Sequence, residues 1–223
     1  MAKRPEWHDE YWLLLMQLYL KKPQGVKHLY SRGLIDVALE LHIHPRYIHR
    51  KMYELRNIDT PRLQRLWDEY AKSPRKLARG IKLLRRMNGF GNADEFYAGV
   101  EVGETWERDF KPLAIKGYMA KEGQEQLTTV KLVMILNLYF RLTPLTMTAE
   151  TPEVAELASL IRSKPQEVAD VLEAFLQCDP FIGLQPKNPS PLLEPCRNVW
   201  KRFGNEDPEK LASLAAQLRE YFV

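Results

Sequence analysis

The sequence predicts an all-α protein, on the strength of three observations. Apolar residues recur at intervals of three and four through nearly the whole chain, which is the period of a helix packed on one side. Proline and glycine collect in short stretches that break these patterns, at 21–25, 88–92, 179–191 and 203–208. The 45% hydrophobic and 28% charged residues are those of a globular chain, which excludes a disordered or collagen-like one.

The predicted helices follow in order from these patterns. Residues 11–20 are apolar on nearly every side, which predicts a helix at the centre of its domain, and residues 130–140 have the same character. Only the run at 95–102 has the composition of a strand, so a short β element is the alternative there. Asp207 before Pro208 predicts the start of a final helix over 208–222, with the aspartate as its N-cap.

Membrane, secreted and disulfide-stabilised classes are disfavoured. The apolar run at 130–140 contains Lys131, and it is well short of the roughly 20 apolar residues that a membrane helix needs. No apolar signal core follows Met1, so we expect a cytoplasmic protein without a membrane partner. Cys178 and Cys196 are too few for a disulfide framework, and both are expected to be reduced.

The charge of the chain is distributed unevenly. Residues 1–92 contain 19 lysines and arginines against 9 aspartates and glutamates, whereas residues 93–223 contain 14 against 20. This asymmetry predicts that the first half meets a polyanion. The densest basic stretch, 72–87, contains no acid, and its apolar positions predict an amphipathic helix with a basic outer face. Its basic residues are Lys72, Arg75, Lys76, Arg79, Lys82, Arg85 and Arg86.

An offset of 120 residues aligns two parts of the chain without a gap. Residues 31–59 then lie over 151–179, with Ala38 on Ala158, Pro45 on Pro165 and Asp59 on Asp179. The apolar positions agree in kind, which predicts two pseudo-repeated helical modules. We therefore divide the chain into a basic N-terminal module with its basic helix (1–92), an acidic connector (93–126) and a C-terminal module with terminal helices (127–223).

The run IDVALELHIHPRYIHRKMYEL at 35–55 resembles the helix-turn-helix of sigma-factor region four and of response-regulator-type transcription factors. Ala38 would allow the two helices to cross closely, and Ile43 and Ile48 would dock the second helix. The sequence departs from the family at the turn, where His42 stands in place of the usual glycine. The resemblance implies a DNA-binding module whose second helix enters the major groove.

The same resemblance identifies the candidate contact residues. Ile48, Met52 and Leu55 form the inward stripe of the second helix. Arginine on the outward side can bond both acceptors of guanine, and tyrosine or histidine can reach phosphates or bases. The predicted DNA-binding residues of this helix are Arg46, Tyr47, His49, Arg50, Lys51 and Tyr53, joined by the seven basic residues of 72–87.

In the second copy the corresponding outward face is acidic. It is predicted to comprise Gln166, Glu167, Ala169, Asp170 and Glu173. Carboxylates on this face would repel phosphates, so we expect the second module to pack against protein, within the chain or in a dimer.

No arrangement of residues predicts catalysis, a metal or a cofactor. The chain shows neither a glycine-rich phosphate loop nor a nucleophile with its base, so we predict that it is not an enzyme. His42, His44 and His49 crowd the turn, but no cysteine or paired carboxylate completes a ligand set. The acids of 94–110 could suggest a nuclease, yet no lysine or histidine stands at the spacing that such a site uses.

The sequence thus predicts a DNA-binding protein, a transcriptional or chromosome-associated regulator that contacts double-stranded DNA through its N-terminal module. The alternative is a helical scaffold that binds a partner protein, or a second copy of itself, without nucleic acid. RNA binding would require exposed aromatic residues for stacking, and only Tyr47 and Tyr53 could supply them.

Overall fold

The computed structural model describes residues 7–87, 90, 105–115, 126–182 and 190–223. These residues are helical apart from turns and one isolated antiparallel bridge between Pro112 and Thr128, which confirms the all-α class. The β element considered at 95–102 lies outside the described residues. The chain divides into two units, Met1–Glu107 and Arg108–Val223, and the division falls inside the segment predicted as a connector.

The described residues of unit 1 form five helices of nine to thirteen residues. Three of them begin at a proline, which has its backbone angle already set for a helix and lacks the amide that a first turn leaves unbonded. The helices are α1 (Trp12–Leu20), α2 (Arg32–Leu41), α3 (Pro45–Asn57), α4 (Pro61–Tyr70) and α5 (Pro74–Leu84). A short helix, α6 (Thr105–Phe110), crosses the boundary between the two units.

Helix α1 has the central place predicted for residues 11–20. It packs against α2, α3 and α5, and the side chains of Leu15 and Met16 are fully buried. The approach of α2 is close at Gly33, where an added Cβ would lie 2.7 Å from a methyl carbon of Leu18. A glycine and the small Ala38 therefore let α2 lie directly on the central helix.

The turn between α2 and α3 closes without a glycine. His42 adopts the left-handed conformation with φ of 54°, and the amide of Ile43 donates to the carbonyl of Ala38 at 3.1 Å. This six-to-one bond is typical of a Schellman ending, in which the left-handed position usually belongs to glycine. His44 then caps α3, because its Nδ1 accepts from the amide of Arg46 at 3.2 Å. The predicted helix, turn and helix are thus present.

Unit 2 also has a central apolar helix. Nine of the eleven residues of α7 are buried, and α8, α9, α10 and α11 all pack on it. The start of the last helix is as predicted, because the Asp207 side chain accepts from the amide of Glu209 at 3.0 Å. The helices are α7 (Thr129–Tyr139), α8 (Pro152–Leu160), α9 (Pro165–Leu176), α10 (Leu193–Phe203) and α11 (Pro208–Leu218).

The backbones of the two units are locally alike at the offset of 120 residues. Helix α9 begins at Pro165 as α3 begins at Pro45. Arg162 takes the left-handed conformation with φ of 54°, as His42 does. These likenesses concern the turns and the helix starts, and a duplication of the whole module stays a prediction.

None of the described helices combines the length and the apolar character that crossing a membrane requires.

Candidate nucleic-acid interface

Helix α3 has two distinct sides within unit 1. Ile48 and Met52 are fully buried, and Leu55 is nearly so, which confirms the predicted inward stripe. On the opposite side Arg46, Arg50 and Tyr53 are exposed, at positions i, i+4 and i+7 of one helical face. Neither arginine has an acidic partner among the described residues. Three of the six residues predicted on this helix therefore form an open, cationic row.

Lys51 does not belong to that row. Its ammonium lies 2.6 Å from the carboxylate of Glu54, and it lies 5.4 to 5.7 Å from the ring centroids of Trp7, Trp12 and Tyr47. Only 17% of its side chain is exposed. Rings attract a cation through the negative charge of their faces, so this lysine holds an aromatic cluster together.

Tyr47 is half-buried, and its ring packs against Arg50 of the exposed row. Its ring packs 6.2 Å from the ring of Trp7, between centroids, and the guanidinium carbon of Arg50 lies 4.9 Å above it. The tyrosine thus ties α3 to the segment before α1. It also holds the guanidinium of Arg50 against a ring face.

His49 is also half-buried, with its ring edge-to-face on Tyr53 at 5.2 Å between centroids. Burial lowers the pKa of His49 below its usual value, and the neighbouring His28 acts in the same direction, against a hydrogen bond with the backbone of Lys27. The imidazole is therefore largely neutral near pH 7. In the free protein His49 is therefore a hydrogen-bonding group rather than a source of positive charge.

Helix α5 is amphipathic as predicted. Leu77, Ile81 and Leu84 are buried in the core of unit 1. All seven predicted basic residues are exposed, but two of them are engaged by acids: Lys76 with Glu69 at 2.8 Å, and Arg85 with Glu40 at 2.5 and 3.0 Å. The cations of 72–87 that have no acidic partner among the described residues are Lys72, Arg75, Arg79, Lys82 and Arg86.

One exposed cation of α3 was missed from the sequence. Arg56 follows Tyr53 by three residues and Arg46 by ten, and it is exposed in the last turn of the helix. The helical spacing that selected Arg46, Arg50 and Tyr53 extends to this position, so continuing the same face by one turn would have found it.

The turn before α3 is in contact with the beginning of α6. His42 Nδ1 lies 3.2 Å from an oxygen of Glu107, and the Trp106 ring packs edge-on to His44 at 5.6 Å between centroids. Glu107 is 2% exposed. The histidines at this turn, considered above as metal ligands, thus have structural partners that sequence spacing did not indicate.

The face predicted for the second copy is only partly correct. Gln166, Asp170 and Glu173 are exposed, but Glu167 and Ala169 are buried. The reason is that α9 is packed by α7, α8 and α10, so more than one side of it is covered. These contacts lie inside the module, and its packing against another part of the chain or against a second copy stays a prediction.

The division into units shows where the excess negative charge of the second half of the chain is located. Unit 1 has 19 basic and 14 acidic residues, whereas unit 2 has 14 and 15 and is nearly neutral. The acidic excess of the second half of the chain resides in residues 93–107, which have five acids and no lysine or arginine. The net charge of unit 2 therefore does not favour self-association in which an acidic unit 2 binds the basic surface of a second copy.

The described residues contain no cluster of three or more histidines, cysteines and carboxylates that could hold a metal. Cys178 and Cys196 are free thiols, as predicted, and burial is the main cause that raises the pKa of each.

Neither a protein-family model, nor a curated protein, nor a solved structure matched this chain. The function of the α3 surface has therefore to be inferred from its own chemistry.

Proposed function

We propose that unit 1 binds double-stranded DNA, with α3 in the major groove and cations of α5 on the phosphate backbone. The observation that carries this proposal is the exposed row of Arg46, Arg50 and Tyr53, on a helix joined to α2 by a tight turn. A helix of this kind presents the side chains of its first turns to the base edges.

The two arginines are the residues that read bases. Arg46 lies in the first turn of α3 and Arg50 one turn later. A guanidinium can donate two parallel hydrogen bonds to the O6 and N7 acceptors of guanine, and each such pair contributes about 1–3 kcal/mol of discrimination between bases. Stacking on Tyr47 restricts Arg50 before it binds, which lowers the entropy lost in the complex.

The five cations of 72–87 without acidic partners among the described residues act differently. They are suited to phosphates, which position a protein on a duplex without reading its sequence. Contact by all five gives a slope of about −4.5 for log affinity against log salt concentration. Both α3 and α5 pack on α1, so one rigid helix supports the base-reading and the phosphate-binding surfaces.

The test is a fluorescence anisotropy titration of the full chain against a labelled random-sequence duplex at two salt concentrations. The variant Arg46→Ala/Arg50→Ala should bind more weakly than the parent protein. The matched control is Gln166→Ala/Asp170→Ala, which changes the same two positions of α9 at the offset of 120 residues and should bind as the parent does.

Equal losses in both double variants, or affinity that does not depend on salt, would contradict the proposal. Self-association that salt weakens, without any retained duplex, would favour the helical scaffold. Preference for particular duplex sequences would place the protein among transcriptional regulators, and binding without preference among chromosome-associated proteins.

A further inference from the structure

Unit 2 contains a cleft of about 860 Å³ that the DNA proposal does not involve. Its walls are the segment 113–115 on one side and α10 on the other, and the start of α7 lies between them. This volume is in the range of pockets that enclose small organic ligands.

The walls of the cleft are joined by specific bonds. The amide of Leu113 donates to the carbonyl of Leu127 at 2.9 Å, which fixes the first wall beside the start of α7. Arg202 of α10 donates to both oxygens of Asp109, at 2.7 and 2.8 Å. Because a two-bond arginine and carboxylate pair has a fixed geometry, the second wall is held to the segment that leads into the first.

The lining combines apolar and polar groups in similar numbers. Leu113 and Ile115 are half-buried on the first wall, while Leu132, Leu193 and Val199 are buried at the base and on the second wall. Hydroxyl and amide groups of Thr129, Ser190 and Asn198 are interspersed among them. An apolar body would be covered on two sides here, with hydrogen-bonding groups within reach.

The charge at the edge of the cleft is positive. Arg197 and Lys201 are exposed one helical turn apart on α10, and neither forms an ion pair within the described residues. Arg202 is already engaged by Asp109, and Glu194 is the one acid among the described residues of the lining. A ligand with an anionic group could therefore meet two cations while its apolar part contacts the walls.

We propose that this cleft is a binding site for a small organic anion, an aromatic or acyl body that bears a carboxylate or sulfonate. The apolar part of the lining disfavours inorganic phosphate, which would leave that part without contact. The two unpaired cations disfavour a neutral ligand, which would leave the charges without a partner. The inference concerns unit 2 alone and does not depend on DNA binding.

The probe is 8-anilinonaphthalene-1-sulfonate, which becomes fluorescent when its aromatic body leaves water. Titration of the full chain should reveal one site. Naphthalene-1-carboxylate should displace the probe, and the neutral naphthalene-1-carboxamide should do so about tenfold less well, because two partly exposed charge contacts of up to about 1 kcal/mol each are lost. Equal displacement by the acid and the amide, measured on the unaltered protein, would overturn the proposal.

Variants locate the site. Arg197→Gln/Lys201→Gln should weaken probe binding about tenfold, and Glu194→Gln should strengthen it by a few fold because a repelling carboxylate is removed. Lys164→Gln/Lys210→Gln removes two exposed cations of unit 2 that do not line the cleft, and it should leave binding unchanged.

Phe181→Ser is the control for the probe itself, because Phe181 is 96% exposed and does not line the cleft. Loss of fluorescence in this variant, or retention of full affinity in Arg197→Gln/Lys201→Gln, would mean that the probe binds elsewhere and that the proposal is wrong.

Discussion

The imidazole of His42 and the buried carboxylate of Glu107 meet at 3.2 Å although 65 residues separate them in the sequence. His42 is also the left-handed residue that ends α2. One residue therefore closes the turn before α3 with its backbone and contacts the predicted connector, at Glu107, with its side chain.

Replacing Glu107 with alanine should destabilise unit 1 by about 1–3 kcal/mol, since a buried polar contact is removed from the turn. Urea unfolding followed by circular dichroism measures this. Glu69→Ala breaks the exposed pair with Lys76 and should cost less than about 1 kcal/mol. Equal midpoints for the two variants would show that the contact of Glu107 with His42 contributes nothing to stability.

The stability of the protein should fall as pH decreases below about 6.5, in part because of His49. Burial lowers the pKa of His49 in the folded state, so the unfolded chain binds the proton first and acid favours unfolding. This loss begins near the ordinary pKa of 6.5 and continues down to the lowered one. Thermal melts between pH 7.5 and 5 should show a shallower decline for His49→Gln. A decline unchanged by this substitution would exclude His49 as a cause.

Lys51 and Arg50 are adjacent in sequence but should respond in opposite ways to the same substitution. Lys51→Met removes the cation that lies among three aromatic rings, and it should lower the free energy of unfolding by about 1–2 kcal/mol. Arg50→Met should cost less stability and weaken duplex binding more. Chemical denaturation and anisotropy titration of both variants provide the comparison. If one variant had the larger effect in both measurements, the prediction would be contradicted.

The hydroxyl of Tyr139 donates to Asp179 at 2.7 Å, and burial together with this carboxylate raises the pKa of the phenol. Tyr139→Phe should therefore destabilise unit 2 by about 1–3 kcal/mol. Tyr19 occupies the matching position of unit 1 and packs edge-on to Trp67 at 5.8 Å. Tyr19→Phe should change stability by less than about 0.5 kcal/mol. Calorimetry of the two variants would separate these effects, and equal losses would refute the assignment.

Local patterns were sufficient to predict the helices and their inward sides. Ile48, Met52 and Leu55 are buried as their spacing requires, because a helix packed on one side can place only one stripe of residues in the core. The start at Pro208 was equally local, since a proline and the preceding aspartate determine it without any distant contact.

Contacts between distant segments could not be predicted in this way. Lys51 was predicted on the outward side of α3, yet its ammonium lies over the rings of two tryptophans some forty residues earlier in the chain. Glu167 was expected to be exposed, but the number of helices around α9 depends on the tertiary arrangement. The pairing of His42 with Glu107 has no signature in spacing for the same reason.

The central position of α1 has a consequence for how unit 1 opens. Leu15 and Met16 can reach solvent only when α2, α3 and α5 separate from them together. The peptide amides of α1 should consequently exchange with deuterated water only through complete opening of the unit, more slowly than those of α4, which has fewer buried residues.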